Sequence, residues 1–201
     1  MSLELALSAL ERGQVVAAPS ESVFGLLADA TRPEAVTRLF GLKPRGTEKG
    51  MPILLPDRAA WSHLVLEIPK AASKLADRFW PGPLTIALAA ARSVDHRLLS
   101  EATIGVRWAG ACPAAELAAR FGRPLTATSA NLPGAPPLNA AESVRREFAE
   151  AVRCGELFVL DGAAPGGAPS TVVLVEPSGI RVVREGAIAA ARVFAELGNE
   201  H

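Results

Sequence analysis

The chain is poor in cysteine, histidine and net charge, and it has no long apolar run. Its 201 residues hold two cysteines, Cys112 and Cys154. That excludes a disulfide framework and reads as free thiols in a reducing cytosol. Both cysteines read as structural or incidental. The three histidines, His63, His96 and His201, fall at no ligand spacing, and there is no CxxC. Protein-ligated zinc and a histidine-based triad are therefore poor expectations. The phosphate-loop pattern GxxxxGK[ST] and the dinucleotide pattern GxGxxG are both missing. Lys and Arg number 21, as do Asp and Glu, so the formal net charge is zero. This argues against binding nucleic acid by bulk electrostatics but leaves room for a local basic patch. No apolar run approaches the ~20 residues of a membrane span, and Leu84 to Ala91 is only strand-sized. The N-terminus lacks a basic stretch and carries Glu4 among its apolar residues, unlike a secretory signal. A soluble, cytoplasmic protein with no membrane partner is expected.

What is present is a composition 49% hydrophobic and 21% charged, which suits one domain over residues 1–201 with a real core. Apolar spacing predicts helices over 3–12, 33–42, 70–80, 113–121, 140–152 and 187–197. Short apolar runs predict strands over 14–18, 53–55, 84–89, 104–108, 125–128, 157–160, 171–175 and 180–184. Pro177-Ser-Gly179 signals a hairpin between the last two. Strands and helices interleave without strict βαβ repeats. The fold class is therefore α/β: a twisted, mixed parallel/antiparallel open sheet with helices packed on it.

Five constellations carry chemistry. The segment Arg38 to Gly50 holds two of the chain's four lysines. Lys43 and Arg45 flank Pro44, on extended or turning backbone, where residues i and i+2 point to one side. Two converging cations suit a polyphosphate; a solvated loop is the alternative. In Pro124-Leu-Thr-Ala-Thr-Ser129-Ala-Asn131, a buried run emerges into hydroxyl and amide groups. These suit ligand oxygens at a strand end, or a turn that satisfies its own backbone. Ser20-Glu21-Ser22 leaves the first strand, where α/β proteins place ligands. Arg107 ends an otherwise apolar strand that starts at Thr103. It needs an anion, either a substrate carboxylate or an internal partner. Ser170-Thr171 and Arg184-Glu-Gly186 sit at the ends of late strands. Trp61, Trp80 and Trp108 read as core or rim. The sum is a site rich in cations, hydroxyls and amides, with no evident nucleophile.

Together these segments resemble the YrdC/Sua5 family, the threonylcarbamoyl-AMP synthases, in its short single-domain bacterial form. The resemblance rests on Gly13-Gln-Val-Val-Ala-Ala-Pro-Ser-Glu-Ser-Val-Phe-Gly, Leu42-Lys-Pro-Arg, Phe79-Trp-Pro-Gly-Pro-Leu-Thr85, Ile104-Gly-Val-Arg107, Thr128-Ser-Ala-Asn-Leu132, Ser170-Thr-Val-Val and Arg184-Glu-Gly186. They occur in family order and span nearly the whole chain. The resemblance implies a YrdC-like fold and a nucleotidyltransferase that makes L-threonylcarbamoyladenylate and pyrophosphate from L-threonine, bicarbonate (or CO2) and ATP. The product feeds N6-threonylcarbamoylation of adenosine 37 in tRNA. By family position Lys43, Arg45, Ser129 and Asn131 form the catalytic tetrad. Arg45, Lys49, Thr103, Ser129 and Arg184 contact ATP. Ser22, Arg107 and Ser170 hold threonine, with Arg107 on its α-carboxylate. Mg2+ is expected on the ATP phosphates rather than on protein side chains. Expected partners are tRNA or double-stranded RNA and the downstream threonylcarbamoyl-transferase proteins.

The chain departs from the family pattern at several positions. Pro-Thr-Glu-Thr becomes Pro19-Ser-Glu-Ser22, which keeps the hydroxyls and loses the methyls. Phe24 replaces a frequent Tyr, and Gly46 replaces a common Pro. Lys49-Gly-Met-Pro-Ile-Leu-Leu replaces a stretch that carries a His in many members, so no His contact is carried over. The main alternative is an RNA-binding module without nucleotidyl transfer. It would use Lys43, Arg45, Lys49, Arg107 and Arg184 against a nucleic-acid backbone. A carbamoyl-transfer module, as in the hydrogenase-maturation carbamoyltransferases, fits less well, because those chains are large and multidomain.

Overall fold

The apolar run after Gly13 becomes a strand covered on both faces. In β1 (Val15–Pro19) every position is buried, because side chains alternate and each face meets a separate apolar cluster. Val15 and Ala17 enter the larger cluster. Val16 and Ala18 enter the smaller, with Ala6, Leu10, Leu117 and Phe121. These four residues come from α1 (Leu3–Glu11) and α4 (Pro113–Phe121). α4 opens on Pro113, which needs no N–H partner in a first turn. It closes on Gly122 at φ 71°, a left-handed position that favours glycine.

The computed structural model describes residues 2–43 and 50–198. After β1 come β2 (Phe24–Leu27), α2 (Pro33–Leu42), β3 (Ile53–Leu54), α3 (Lys70–Phe79), β4 (Leu84–Ala89) and β5 (Thr103–Arg107). Past α4 lie β6 (Leu125–Thr126), β7 (Thr128–Ser129), α5 (Ala141–Glu147), α6 (Ala149–Arg153), β8 (Leu157–Val159), β9 (Thr171–Glu176), β10 (Gly179–Arg184) and α7 (Ala190–Leu197). One sheet has the order β7-β2-β1-β8 and the other β10-β9-β4-β5-β3-β6. Both are mixed. β1 runs parallel to β8 and antiparallel to β2, and β4 runs parallel to β9 and antiparallel to β5. The α/β class with open, mixed sheets agrees with the sequence reading, and so does the β9–β10 hairpin around Pro177-Ser178.

The strands divide between two sheets, and the run 125–128 shows why. It changes partner at Ala127: β6 pairs with β3, while β7 pairs with β2. Between them Ala127 N–H donates to the Pro52 carbonyl at 2.8 Å. The buried Thr126 hydroxyl accepts Ala28 N–H at 2.9 Å, and Thr126 N–H donates to Ala28 O at 2.8 Å. The main chain thus satisfies its polar groups by crossing from one sheet to the other. β2 escapes the sequence reading because four residues including Gly25 are too few to show a period. The helix expected over 140–152 breaks at Phe148, where φ is −111° and ψ 33°. The last helix starts at Ala190 rather than at Ala187; before it, Ala187 N–H donates to Pro169 O and Ile188 N–H to the Thr171 hydroxyl. Trp61 and Trp80 are core residues in an edge-to-face contact at 5.0 Å, as their apolar bulk suggested.

The N-terminal end of α2 is tied down by an arginine from beyond β4. Arg97 donates to the Thr37 hydroxyl at 2.7 Å and to Pro33 O at 3.0 Å. Asp95 holds that guanidinium, and its carboxyl lies below the usual range chiefly because of its hydrogen bond with the Arg97 side chain. A carboxyl with a lowered folded pKa adds stability that is complete above its unfolded value, about 4. That stability is lost as the pH falls through the folded value. Asp95→Asn is expected to lower Tm at pH 7 by about 2–4 °C, equivalent to roughly 1 kcal/mol at this chain length. The gap to the unaltered chain should narrow as the pH falls below the ordinary carboxylate value of about 4; a gap independent of pH would refute the ion pair's role.

Candidate active site

Strand alternation builds the floor of a cleft of about 900 Å³. On β4 and β5, Ile86, Ile104 and Val106 point into the core, while Thr85, Thr103, Gly105 and Arg107 point the other way and line the cleft. Val172 and Leu174 of β9 and Arg181 and Val183 of β10 extend the same face. Gly105 keeps the floor low: a Cβ there would approach the Thr85 methyl to 3.1 Å. The lining is completed by the turn after β1, by Lys43 at the end of α2, and by Ser129 and Asn131 at the end of β7.

Lys43 is only 6% exposed. Its ammonium donates to Ser129 O at 2.6 Å, to Ser129 Oγ at 3.2 Å and to Asn131 Oδ1 at 2.9 Å. Ser129 Oγ donates to the same Asn131 oxygen at 2.5 Å. Asn131 is aimed in turn by its amide, which donates to Leu132 O at 3.1 Å and to Ala135 O at 2.5 Å. The α2 C-terminus favours a cation at this point. Three of the four expected tetrad residues therefore form one hydrogen-bonded cluster, although Lys43 and Asn131 stand 88 positions apart. Arg45 and Lys49 lie outside the described residues.

Arg107 lines the cleft and also has an internal partner, so both sequence readings meet in it. Its Nη1 lies 3.3 Å from Glu21 Oε2, with side chains only 12% and 21% exposed. Glu21 Oε1 accepts Gly110 N–H at 2.9 Å. Arg184 donates to Ser170 O from Nη2 at 2.7 Å and from Nε at 3.2 Å, and to Ser170 Oγ at 3.2 Å. Its pKa is pushed down, first because the cleft strips hydration from the guanidinium, then because Arg107 adds like charge. Ser170 Oγ is also 2.9 Å from Thr85 Oγ1. Ser22 lines the cleft, and its carbonyl accepts Gly166 N–H at 2.8 Å. Thr103 lines it too, with its hydroxyl turned to Ser100 O at 2.9 Å. Every expected site residue that is described faces this one cleft.

Two arginines whose charges repel, an ammonium bound to neutral oxygens and a rim of hydroxyls favour a ligand with several anionic groups. Among the described residues no cluster of three or more His, Cys, Asp or Glu is placed to hold a metal ion. Both cysteines are free. Burial pushes the Cys112 thiol up, and a hydrogen bond to Glu150 does the same at Cys154, the direction opposite to that of an activated thiolate. Sequence reasoning assigns no role to Thr85 or to the Glu21 carboxylate. Thr85 did leave a signal, as the one polar residue in the run Leu84–Ala89.

The Sua5/YciO/YrdC family model, described as "Telomere recombination", matches residues 8–186. The chain belongs to this family. A threonylcarbamoyl-AMP synthase of Idiomarina loihiensis is 34% identical over 190 residues, covering 92% of this chain and 97% of that protein. Among solved structures, Sua5 of Pyrococcus abyssi complexed with L-threonine superposes with a TM-score of 0.89 at 30% identity. It covers 98% of this chain, which spans 57% of the archaeal one. YciO of Escherichia coli gives a TM-score of 0.79 at 25% identity, covering 93% of this chain and 90% of YciO. No helix among the described residues is long and apolar enough to cross a membrane.

Asn131 is the hub of the tetrad cluster, since its amide group bonds on both sides. Asn131→Ala removes one acceptor of Lys43, the acceptor of the Ser129 hydroxyl, and the donor to Leu132 O and Ala135 O. A destabilisation of about 1–3 kcal/mol is expected in urea unfolding, with faster amide exchange at Ala130 to Ala135. Unchanged exchange there would mean the hub does not order the turn.

Proposed function

We propose that this chain is an L-threonylcarbamoyladenylate synthase, a nucleotidyltransferase acting on L-threonine, bicarbonate or CO2, and ATP. The observation that carries the reading is the cleft itself. It gathers Ser22, Lys43, Thr103, Arg107, Ser129, Asn131, Ser170 and Arg184 around one cavity. The relatives named threonylcarbamoyl-AMP synthase, and the threonine-bound archaeal structure, support it.

The chemistry asks of the protein what these residues supply. The threonine amine and bicarbonate give a carbamate and water. A carbamate oxygen then attacks the α-phosphorus of ATP and expels pyrophosphate. The nucleophile belongs to the substrate, so no activated Ser or Cys is required. Arg107 holds the α-carboxylate of threonine, with Ser22 and Ser170 beside it. Lys43, Ser129 and Asn131 face the reacting centre, and Arg184 and Thr103 serve ATP. Arg45 and Lys49 are assigned to the phosphates by family position. Positioned cations stabilise charge that grows on the α-phosphate and on the leaving pyrophosphate. The donor set suits phosphate oxygens better than a divalent cation, so Mg2+ would enter on the nucleotide and neutralise phosphate charge there. The product would pass to threonylcarbamoyl-transferase proteins that modify adenosine 37 of tRNA, in the cytoplasm.

The test is pyrophosphate release from ATP and bicarbonate, with L-threonine, with L-serine and with neither. Release that requires L-threonine is expected. Arg107→Ala should raise KM for L-threonine by a factor on the order of 10²; losing a charge-assisted, bidentate carboxylate contact has about that effect. No release under any condition, with tRNA bound in a steeply salt-dependent manner, would instead favour an RNA-binding module.

A further inference from the structure

Glu21 is a carboxylate inside a site built for anions. It leaves the turn between β1 and β2, next to Ser22, and reaches across to the segment that follows β5. One oxygen accepts Gly110 N–H at 2.9 Å. The other is buried, has no aligned hydrogen bond, and lies 3.3 Å from Arg107 Nη1. Gly110 has no side chain where one would collide: a Cβ there would come within 2.7 Å of Glu21 Oε1. The carboxylate is thus clamped from one side by a backbone donor and set against the guanidinium on the other.

A guanidinium offers five donors in a plane, and a carboxylate ligand uses two parallel ones. An ion pair at one terminal nitrogen restricts where the guanidinium sits and leaves its other donors for a ligand. We propose that Glu21 is a positioning residue for Arg107: it orients the guanidinium so that the remaining donors meet the carboxylate of an amino-acid substrate in the cleft. The proposal rests on the reading that Arg107 holds the α-carboxylate of L-threonine. A guanidinium already held loses less freedom when the ligand arrives, so Glu21 contributes to affinity without touching the ligand. The opposite sign is the natural rival. A carboxylate that merely occupies Arg107 competes with the ligand, and removing it would tighten binding.

The test uses the full chain, with L-threonine affinity from calorimetry and steady-state pyrophosphate release. Glu21→Ala is expected to raise KM for L-threonine on the order of tenfold, with KM for ATP within about twofold, a split that a general loss of structure does not produce. Glu21→Gln keeps an acceptor for Gly110 N–H and should show the same split in smaller measure, which decides the matter should the Ala variant fail to fold. Gly110→Ala, which pushes on the carboxylate from the far side, should move KM for L-threonine in the same direction. In an Arg107→Ala background, Glu21→Ala should add nothing, because the two act as one unit. Unchanged or tighter threonine binding in the Glu21 variants, while Arg107→Ala weakens it, would overturn this proposal alone. Unchanged threonine binding in Arg107→Ala would overturn the underlying assignment of Arg107 and the proposal with it.

Discussion

The segment from Leu125 to Asn131 is the constraint on which the rest depends. It pairs with one sheet at Leu125–Thr126 and with the other at Thr128–Ser129. A main chain in transit between sheets must find partners for its polar groups at each step. Here it finds them in Pro52 O, in Ala28 and in the neighbouring strands. The crossing locks the sheets together and delivers Ser129 and Asn131 to the buried ammonium of Lys43. Shifting the crossing by one residue would exchange inward and outward side chains and dismantle the cluster.

Electrostatics in the cleft follow from this geometry. The six-stranded sheet supplies Arg107 and Arg184 from its cleft-facing side, and the crossing supplies neutral oxygens that hold Lys43. Among the described residues, Arg107 has a carboxylate placed against it, from Glu21. Arg184 rests on the Ser170 carbonyl and hydroxyl, which aim it without neutralising it. Its lowered pKa reflects lost hydration and a neighbouring like charge. A ligand with more than one negative group relieves both, which is the electrostatic content of the proposed pairing of an amino acid with a nucleotide.

Much of this was legible in the residues. The helices at 33–42 and 113–121 agree with their apolar spacing and end signals, and the strand at 84–89 shows as a short apolar run. The site motifs were visible as breaks in apolar runs: Arg107 closing a strand, Ser129 and Asn131 leaving one. What escaped is what depends on partners far away in sequence. β2 has no period to read, Phe148 interrupts a helix that its pattern would continue, and Thr126 belongs to one sheet while Thr128 belongs to the other.

The sequence by itself determined the α/β class and the residue types that line the cleft. These follow from local pattern and side-chain chemistry, which need no knowledge of neighbours. Tertiary structure alone decided that the strands divide into two sheets and that Lys43 meets Asn131. It also decided that Arg107 is paired with Glu21 and that Thr85 supports Ser170. Each of these is a contact between residues dozens of positions apart, set by backbone hydrogen-bond partners and strand register rather than by any local preference.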